Sequence, residues 1–289
     1  MPRFRKTRIL RTSLILALIV SIGVVGSLSA HDFWLVPNAF AVARGGTVEV
    51  LGQTSSKFPT TESAVATDRV ADARIIGAEG EERISDLSIA GKSLRLRARP
   101  TAPGQYAVAA TLHWRSMRES AESFRRYLSL EGAPAALERI DREGLLKGRD
   151  SVTRRYAKYA KTLLQVGEGG GRAFSRVAGH PLEFVPGSDP SVLRAGETLR
   201  VQLLFQGRPI ANARVHAGAV HWATPMPDPP HEVAKDAELV SDSAGWLRVP
   251  ISVSGLWNIR TIQIMQSPAG AGADWDAHWA TLVFFVGKT

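Results

Sequence analysis

The stretch "LSAHDFWLVP" (28–37) sets a histidine where an apolar run stops and a globular sequence begins. If the chain is cut after Ala30, His31 becomes an amino terminus, and its free amine (~8 in model peptides) and imidazole can close one chelate ring on a metal. Such a nitrogen-rich, thiolate-free site suits Cu(II), Ni(II), Co(II) or Zn(II) rather than Mg(II) or Ca(II). Asp32 would add an oxygen or accept the imidazole N–H. The competing reading makes His31 a surface residue at a cut site, with "FWLVP" opening a strand that buries Phe33 and Trp34. A cut after Ser29 instead would make His31 the second residue and change the ring geometry.

Two nitrogens hold a metal loosely, so the other histidines matter. His113 ends the strand-like "QYAVAATLHW", His180 is the positional echo of His31, and His278 lies in "DWDAHWATL". The loop "HWATPMPDPPHE" (221–232) carries His221, His231 and the thioether of Met226, with Glu232 adjacent. None has the spacing of a recognised zinc motif. His113 and His278 also read as structural strand-end residues, and duplication alone accounts for His180. The proline-rich loop has no core to fill, which favours a functional reading there. Enzyme signatures are scarce. "GEGGGR" (167–172) lacks the Lys-Ser/Thr of a phosphate loop, no Gly-x-Ser-x-Gly elbow occurs, and Asp274 and Asp276 read as a strand-entry turn. The seven tryptophans read mostly as core, with sugar stacking by an exposed Trp222 or Trp275 as the alternative.

Residues 1–30 have the three parts of a secretory signal: a basic start with Arg3, Arg5, Lys6, Arg8 and Arg11, an apolar stretch from Leu14 to Val25, and small residues before the cut. The apolar run is shorter than the ~20 residues of a membrane span. An uncleaved anchor is the rival, because Leu28 is bulky for a position three before a cut. Removing this segment takes five basic residues and no acid, so the net charge falls from +9 to the +4 of 31 basic against 27 acidic residues. The high pI is then partly a targeting signature and argues weakly for nucleic acid. Without cysteine there are no disulfides, thiolate metal sites or cysteine nucleophiles.

An internal echo organises the rest. "HDFWLVP" (31–37) is matched by "HPLEFVP" (180–186), "ARGGTVEV" (43–50) by "LRAGETLRV" (193–201), and "APGQYAVAATL" (102–112) by "VSGLWNIRTI" (253–262). Gly46 to Gly104 spans 58 residues and Gly196 to Gly255 spans 59, which predicts two copies of one fold. Alternation such as Tyr106, Val108, Ala110, Leu112, punctuated by Gly and Pro turns, predicts β-structure. The expected architecture is mainly β: two immunoglobulin-like β-sandwich domains at 31–130 and 167–289, joined by a helical connector at 131–166. After Asp150 as N-cap, Val152, Tyr156, Tyr159, Ala160 and Leu163 fall on one helical face, with Arg154, Arg155, Lys158 and Lys161 on others. That basic face would be solvated or meet an anionic surface.

"HDFWLVP" after a signal, "RYAKYAKTLLQVG" (155–167), "LEFVPGSDPSVLRAGETLRVQLLFQGRPIANARV" (182–215), "DSAGWLRVPISVSGLWNIRT" (242–261) and "ADWDAHWATLVF" (273–284) resemble a bacterial secreted family of unknown function usually described as periplasmic components of cobalt or nickel ABC-type uptake. The resemblance implies periplasmic metal handling, with His31 and Asp32 as the metal candidates. His278 and His180 depart from it, standing where a non-histidine and an apolar residue are expected. A more distant likeness, to periplasmic copper carriers and copper polysaccharide monooxygenases, rests on a terminal histidine and a sandwich fold. The expected function is a non-enzymatic periplasmic protein that binds Ni, Co or Cu and delivers it to an inner-membrane importer, with no nucleic-acid partner and no membrane span once the signal is gone. A copper histidine-brace oxidase and a metal-free adhesion or scaffold module are the alternatives. Terminal sequencing of the periplasmic form is expected to begin at His31; an intact Met1, or a start beyond Asp32, would remove the chelate.

Overall fold

The computed structural model describes residues 31–223 and 230–287; the expected signal (1–30) and Met226 lie outside them. In the first half the strands are β1 (Asp32–Pro37), β2 (Ala41–Val42), β3 (Val48–Ser55), β4 (Val70–Ile76), β5 (Glu81–Arg83), β6 (Asp86–Ala90), β7 (Ser93–Ala98), β8 (Gly104–Leu112) and β9 (Arg115–Ser120). Helices α1 (Ala121–Leu130) and α2 (Pro134–Glu143) follow, then the sixteen-residue β10 (Ser151–Val166). The second half has β11 (Leu182–Pro186), β12 (Thr198–Phe205), β13 (Arg208–Pro209), β14 (Arg214–Val220), β15 (Glu232–Val240), β16 (Trp246–Pro250), β17 (Gly255–Gln266) and β18 (Trp275–Val286). The chain is mainly β.

Three sheets form. A small one in the order β1-β3-β7-β6 belongs to the first half, and β11-β12-β13, with β16 on β12, to the second. The third runs through both halves as β15-β14-β17-β18-β10-β8-β4-β5, with β2 and β9 also pairing β10. The small sheets cover opposite faces of this shared sheet. Alternate residues of a strand point to opposite faces, and on β10 Ala160, Leu164 and Val166 pack in one core with Phe33, Val50 and Leu96, whereas Ala157, Tyr159 and Leu163 pack in another with Leu182, Val201 and Leu247. Two immunoglobulin-like sandwiches therefore share one sheet between them. Inside β3, Gly52 makes room for a core ring, since a Cβ there would stand 2.9 Å from Phe33 Cε2.

The duplication is visible in hydrogen-bond register. One constant offset in numbering carries the pairs Val48↔Ala98 and Val50↔Leu96 onto Leu199↔Val249 and Val201↔Leu247, and Gly104 onto Gly255. The same offset matches Gly196 with Gly45 rather than Gly46. Gly45 and Gly196 take the left-handed conformation (φ 75° and 94°), in turns closed by Gly46 N–H to Ala43 O (2.9 Å) and Glu197 N–H to Arg194 O (3.1 Å). The sequence pairing was thus off by one residue, because two adjacent glycines offer the same letter for one left-handed position.

The segment 151–163, expected to be helical, is strand. Two helices do stand between the halves, but earlier: α1 is capped by Ser120 Oγ, which accepts from Ser123 N–H at 3.0 Å, and α2 ends at the left-handed Gly144. Asp150 caps no helix; its carbonyl accepts from Ala121 N–H at 3.1 Å. The pattern misled because β10 is covered on both faces, so apolar residues occur on both alternating sets and imitate a helical stripe. Its basic residues are not a solvated face either: Arg154 pairs with Glu119 (3.0 Å), Arg155 with Asp276 (2.6 Å) and Lys161 with Glu183 (2.6 Å). Because the long sheet crosses both halves, they are expected to unfold together. Leu282→Ala, removing a fully buried side chain of the second core, should lower stability by about 2–5 kcal/mol while tryptophan fluorescence and far-UV circular dichroism in urea keep one common transition. Two separated transitions would contradict this.

Candidate functional site

The histidines fall into three places. His31 precedes β1, and its Nε2 lies 3.0 Å from Glu62 Oε2, with the ring about one-third exposed (36%). Glu62 is itself held: Ser55 Oγ donates to Oε1 at 3.0 Å, and Ser56 donates through both its N–H and its Oγ at 3.3 Å. The Ser56 backbone donor, then Ser55, with His31 adding its own effect, keeps the Glu62 carboxyl below its usual range. Lys158 Nζ donates to the His31 carbonyl. Asp32 turns the other way, under the sheet. Its Oδ2 sits 3.3 Å from Arg260 Nε, while Oδ1 is buried without a hydrogen-bond partner. Burial raises the Asp32 carboxyl to about 6 against the opposing pull of Arg260 and Lys158, and burial lowers the Lys158 ammonium to about 8. The carboxylate that meets the His31 ring is therefore Glu62 rather than the adjacent Asp32.

The second place is the proline-rich loop. His221 N–H donates to the His231 carbonyl at 2.7 Å, closing the end of the β14–β15 pair, and the two exposed rings lie 6.5 Å apart between centroids. His113 is isolated by comparison: exposed just after β8, it is fastened by its backbone N–H to Arg69 O at 2.8 Å. Trp275 is core, at 2% exposure, and offers no platform to a sugar.

The third place is the most elaborate. His180, just before β11, and His278, on β18, both pack against the ring of Tyr159 on β10, with centroids 5.6 and 5.9 Å away. The Tyr159 hydroxyl and His278 Nδ1 are 3.0 Å apart. His180 Nε2 is buried with no partner. Burial first, then Lys161 and Arg74 at His180 and Arg155 at His278, lowers both imidazoles to about 4 against the opposing pull of Glu183 and Asp276, so both are neutral at pH 7. Beside them Glu183 accepts from Lys161 Nζ (2.6 Å) and from the backbone N–H groups of Ala178 (2.7 Å), Gly179 (3.0 Å) and His180 (3.2 Å). Burial opposes its ionisation, yet Lys161, His180 and the backbone donors more than offset that, and the carboxyl stays below its usual range. Arg155 grips Asp276 with two hydrogen bonds (2.6 and 2.7 Å) and stacks on Trp114 at 4.5 Å.

Sequence reasoning named His180 and His278 but missed what joins them. Tyr159 and Lys161 stood in a presumed helix. Glu62 lies in a polar stretch without periodicity, and the one signal available was its place in "SSKFPTTE", a turn whose serine hydroxyls could hold a carboxylate. Among the described residues no group of three or more His, Asp or Glu side chains is gathered as a ready metal cage.

Fold and sites together define a tandem β-sandwich protein with one exposed, carboxylate-backed histidine at the edge of its first half and a recessed histidine pair between halves. The chain belongs to the family described as a domain of unknown function, DUF4198, whose match covers residues 28–264. No curated protein matches it. Among solved structures it is similar to the D0-D1 domain of intimin (9% identity, TM-score 0.19, covering 88% of this chain and 97% of that one). It is also similar to the adhesin InvE of Yersinia pseudotuberculosis (11% identity, TM-score 0.21, covering 89% of this chain and 61% of that one).

The depressed imidazoles set an acid limit. A base whose pKa is lower in the folded state than the ~6.5 of free imidazole is protonated first on unfolding, so its stabilising effect is complete above about pH 6.5 and is lost as pH falls toward 4. The urea midpoint should fall across that window. His278→Phe should flatten the slope by removing a linkage on the order of 3 kcal/mol, and an unchanged slope would contradict the burial argument.

Proposed function

We propose that the protein is a periplasmic carrier of a divalent transition metal, Ni(II), Co(II) or Cu(II), held at an amino terminus freed by removal of residues 1–30 and passed to an inner-membrane importer. The observation that carries this reading is the contact of His31 Nε2 with Glu62 at 3.0 Å. An amino-terminal histidine chelates through its amine and Nδ1, which leaves Nε2 pointing away from the metal. A metal-bound imidazole characteristically donates that second N–H to a carboxylate, which fixes the tautomer and the ring orientation. The hydrogen bonds of Ser55 and Ser56 to Glu62, and of Lys158 to the His31 carbonyl, support this reading.

The chemistry also fits delivery better than storage. With no three-residue cage of His, Asp or Glu among the described residues, an amine and one imidazole fill only part of a transition metal's coordination sphere. The remaining positions stay open to water or to a recipient's side chains, and a ligand exchange can begin without dismantling a closed site. The partial exposure of His31 leaves that approach free. Metal is the cargo here, and none of the chain's residues needs to perform a reaction on it.

Titration of the mature protein with Cu(II) or Ni(II) at neutral pH should give about one site whose affinity falls on acidification, as protons compete with the metal for the amine and imidazole nitrogens. His31→Ala should weaken binding at least tenfold, about 1.4 kcal/mol. A one-residue extension before His31 should do similar harm, and Glu62→Gln should cost about tenfold. Unchanged affinity in His31→Ala, with loss in His221→Ala or His231→Ala, would move the site to the proline-rich loop.

A further inference from the structure

Beside the histidine pair lies a cleft of about 600 Å³, a size ordinary for a small-molecule site. It opens where the first half's β8–β9 turn and β10 meet the second half's β11, the turn after β12, the end of β17 and the start of β18. Trp114, Val177, Pro181, Leu204 and Met265 give it an apolar wall, and His180 and His278 give it polar points.

The charges around the cleft are already matched. Arg155 is bound to Asp276 through both guanidinium contacts, and Lys161 is bound to Glu183 with both side chains almost wholly buried (2% and 1% exposed). The imidazoles are neutral. A ligand bearing a full charge would lose its hydration and meet no free counter-ion, a cost of several kcal/mol for a buried ion. An uncharged ligand meets no such penalty. His180 differs from everything else in the wall: at 6% exposure its Nε2 has almost no accessible surface and no hydrogen-bond partner, although a buried polar atom of this kind normally has one, and the ring must turn for a ligand in the cleft to reach it. The Tyr159 hydroxyl lies 3.0 Å from His278 Nδ1 and makes no hydrogen bond to His180 Nε2.

We propose that this cleft binds an uncharged, largely apolar small molecule whose hydroxyl group completes the hydrogen bonding of His180 Nε2. A hydroxyl both donates and accepts, so it can satisfy either tautomer of the ring. The apolar body of the ligand lies against Trp114, Leu204 and Met265, where a sulfur and an indole suit an aromatic ring. The site is separate from His31 and does not depend on where the mature chain begins.

Three probes of one shape separate the possibilities: 4-methylphenol, toluene and 4-methylbenzoate, titrated into the mature chain and followed by the ¹⁵N shifts of the His180 and His278 rings. The phenol should bind saturably and move the His180 signal, toluene should bind about tenfold more weakly for want of the hydrogen bond, and the benzoate weaker still. His180→Phe, which keeps the cleft wall filled, should abolish the preference for the phenol over toluene. Benzoate binding as tightly as the phenol would overturn the proposal, as would a phenol that leaves the His180 signal unmoved at saturation. If His180→Phe does not fold, the probe order and ring shifts of the unaltered protein decide alone.

Discussion

The parallel pairing of β10 with β18 is the contact on which the rest of the molecule depends. It runs from Arg154↔Trp275 to Thr162↔Val283 and is the seam between the two copies. Each strand closes the shared-sheet portion of its own half, so without the seam each half would end in a long apolar edge with unpaired N–H and C=O groups, which is both costly and prone to wrong pairing. Because equivalent strands meet in parallel, the operation that relates the halves runs along the strands and exchanges the faces of the sheet. The two small sheets must then lie on opposite sides. Each face is left bare beyond its own sandwich, and on one side α1 and α2 fill the gap, packing Phe124, Leu128 and Ile140 against Ile262, Trp275 and Trp279.

The charges on β10 belong to the same constraint. A buried ion pair contributes little net stability over an apolar pair, but breaking one by displacing a partner is strongly unfavourable. Arg155 stands directly across from Asp276 in the seam, and Lys161 reaches Glu183 from the overlying β11. A slip of one residue would turn every side chain of β10 to the opposite face, separating both pairs inside the protein. The basic residues that looked like a solvated surface therefore act as register keys, and they explain why a strand so long can carry four of them near its centre.

What was legible in the sequence follows from what is local. Alternation in β3, β7 and β8 and the glycine and proline turns exposed the β-class, and the echo of "HDFWLVP" in "HPLEFVP" exposed the duplication, because each is a pattern within a few residues. β10 was misread because burial on both faces erases the period-two signal that marks a half-buried strand. The sites divide in the same way. His31 is conspicuous at the end of an apolar run, but Glu62 reaches it only through the return of the loop after β3. His180 and His278 were both named, yet their meeting at Tyr159 exists only once the seam sets β18 beside β10 and β11 crosses over them. No spacing in the chain encodes that.

The registers add one more step. Ala107 pairs with Leu163 in the first half, and its counterpart Asn258 pairs with Val283 in the second. Carried along those strands, the same correspondence makes Lys158 the counterpart of His278, just as the registers of β1 and β11 make His31 the counterpart of His180. One structural notch, where the first strand of a sandwich overlies the seam, thus occurs twice with different chemistry. In the first, Lys158, Asp32 and Arg260 fill the floor with charge and leave the His31 ring partly in solvent. In the second, the lysine has become a histidine, Tyr159 lies beside it, and the charges withdraw into closed pairs, so His180 is buried, neutral and short of a partner. The first notch leaves its histidine partly open to solvent, and the proposed metal site rests on that opening. The second offers no unpaired charge, and the ligand proposed for its cleft brings a hydrogen bond without one.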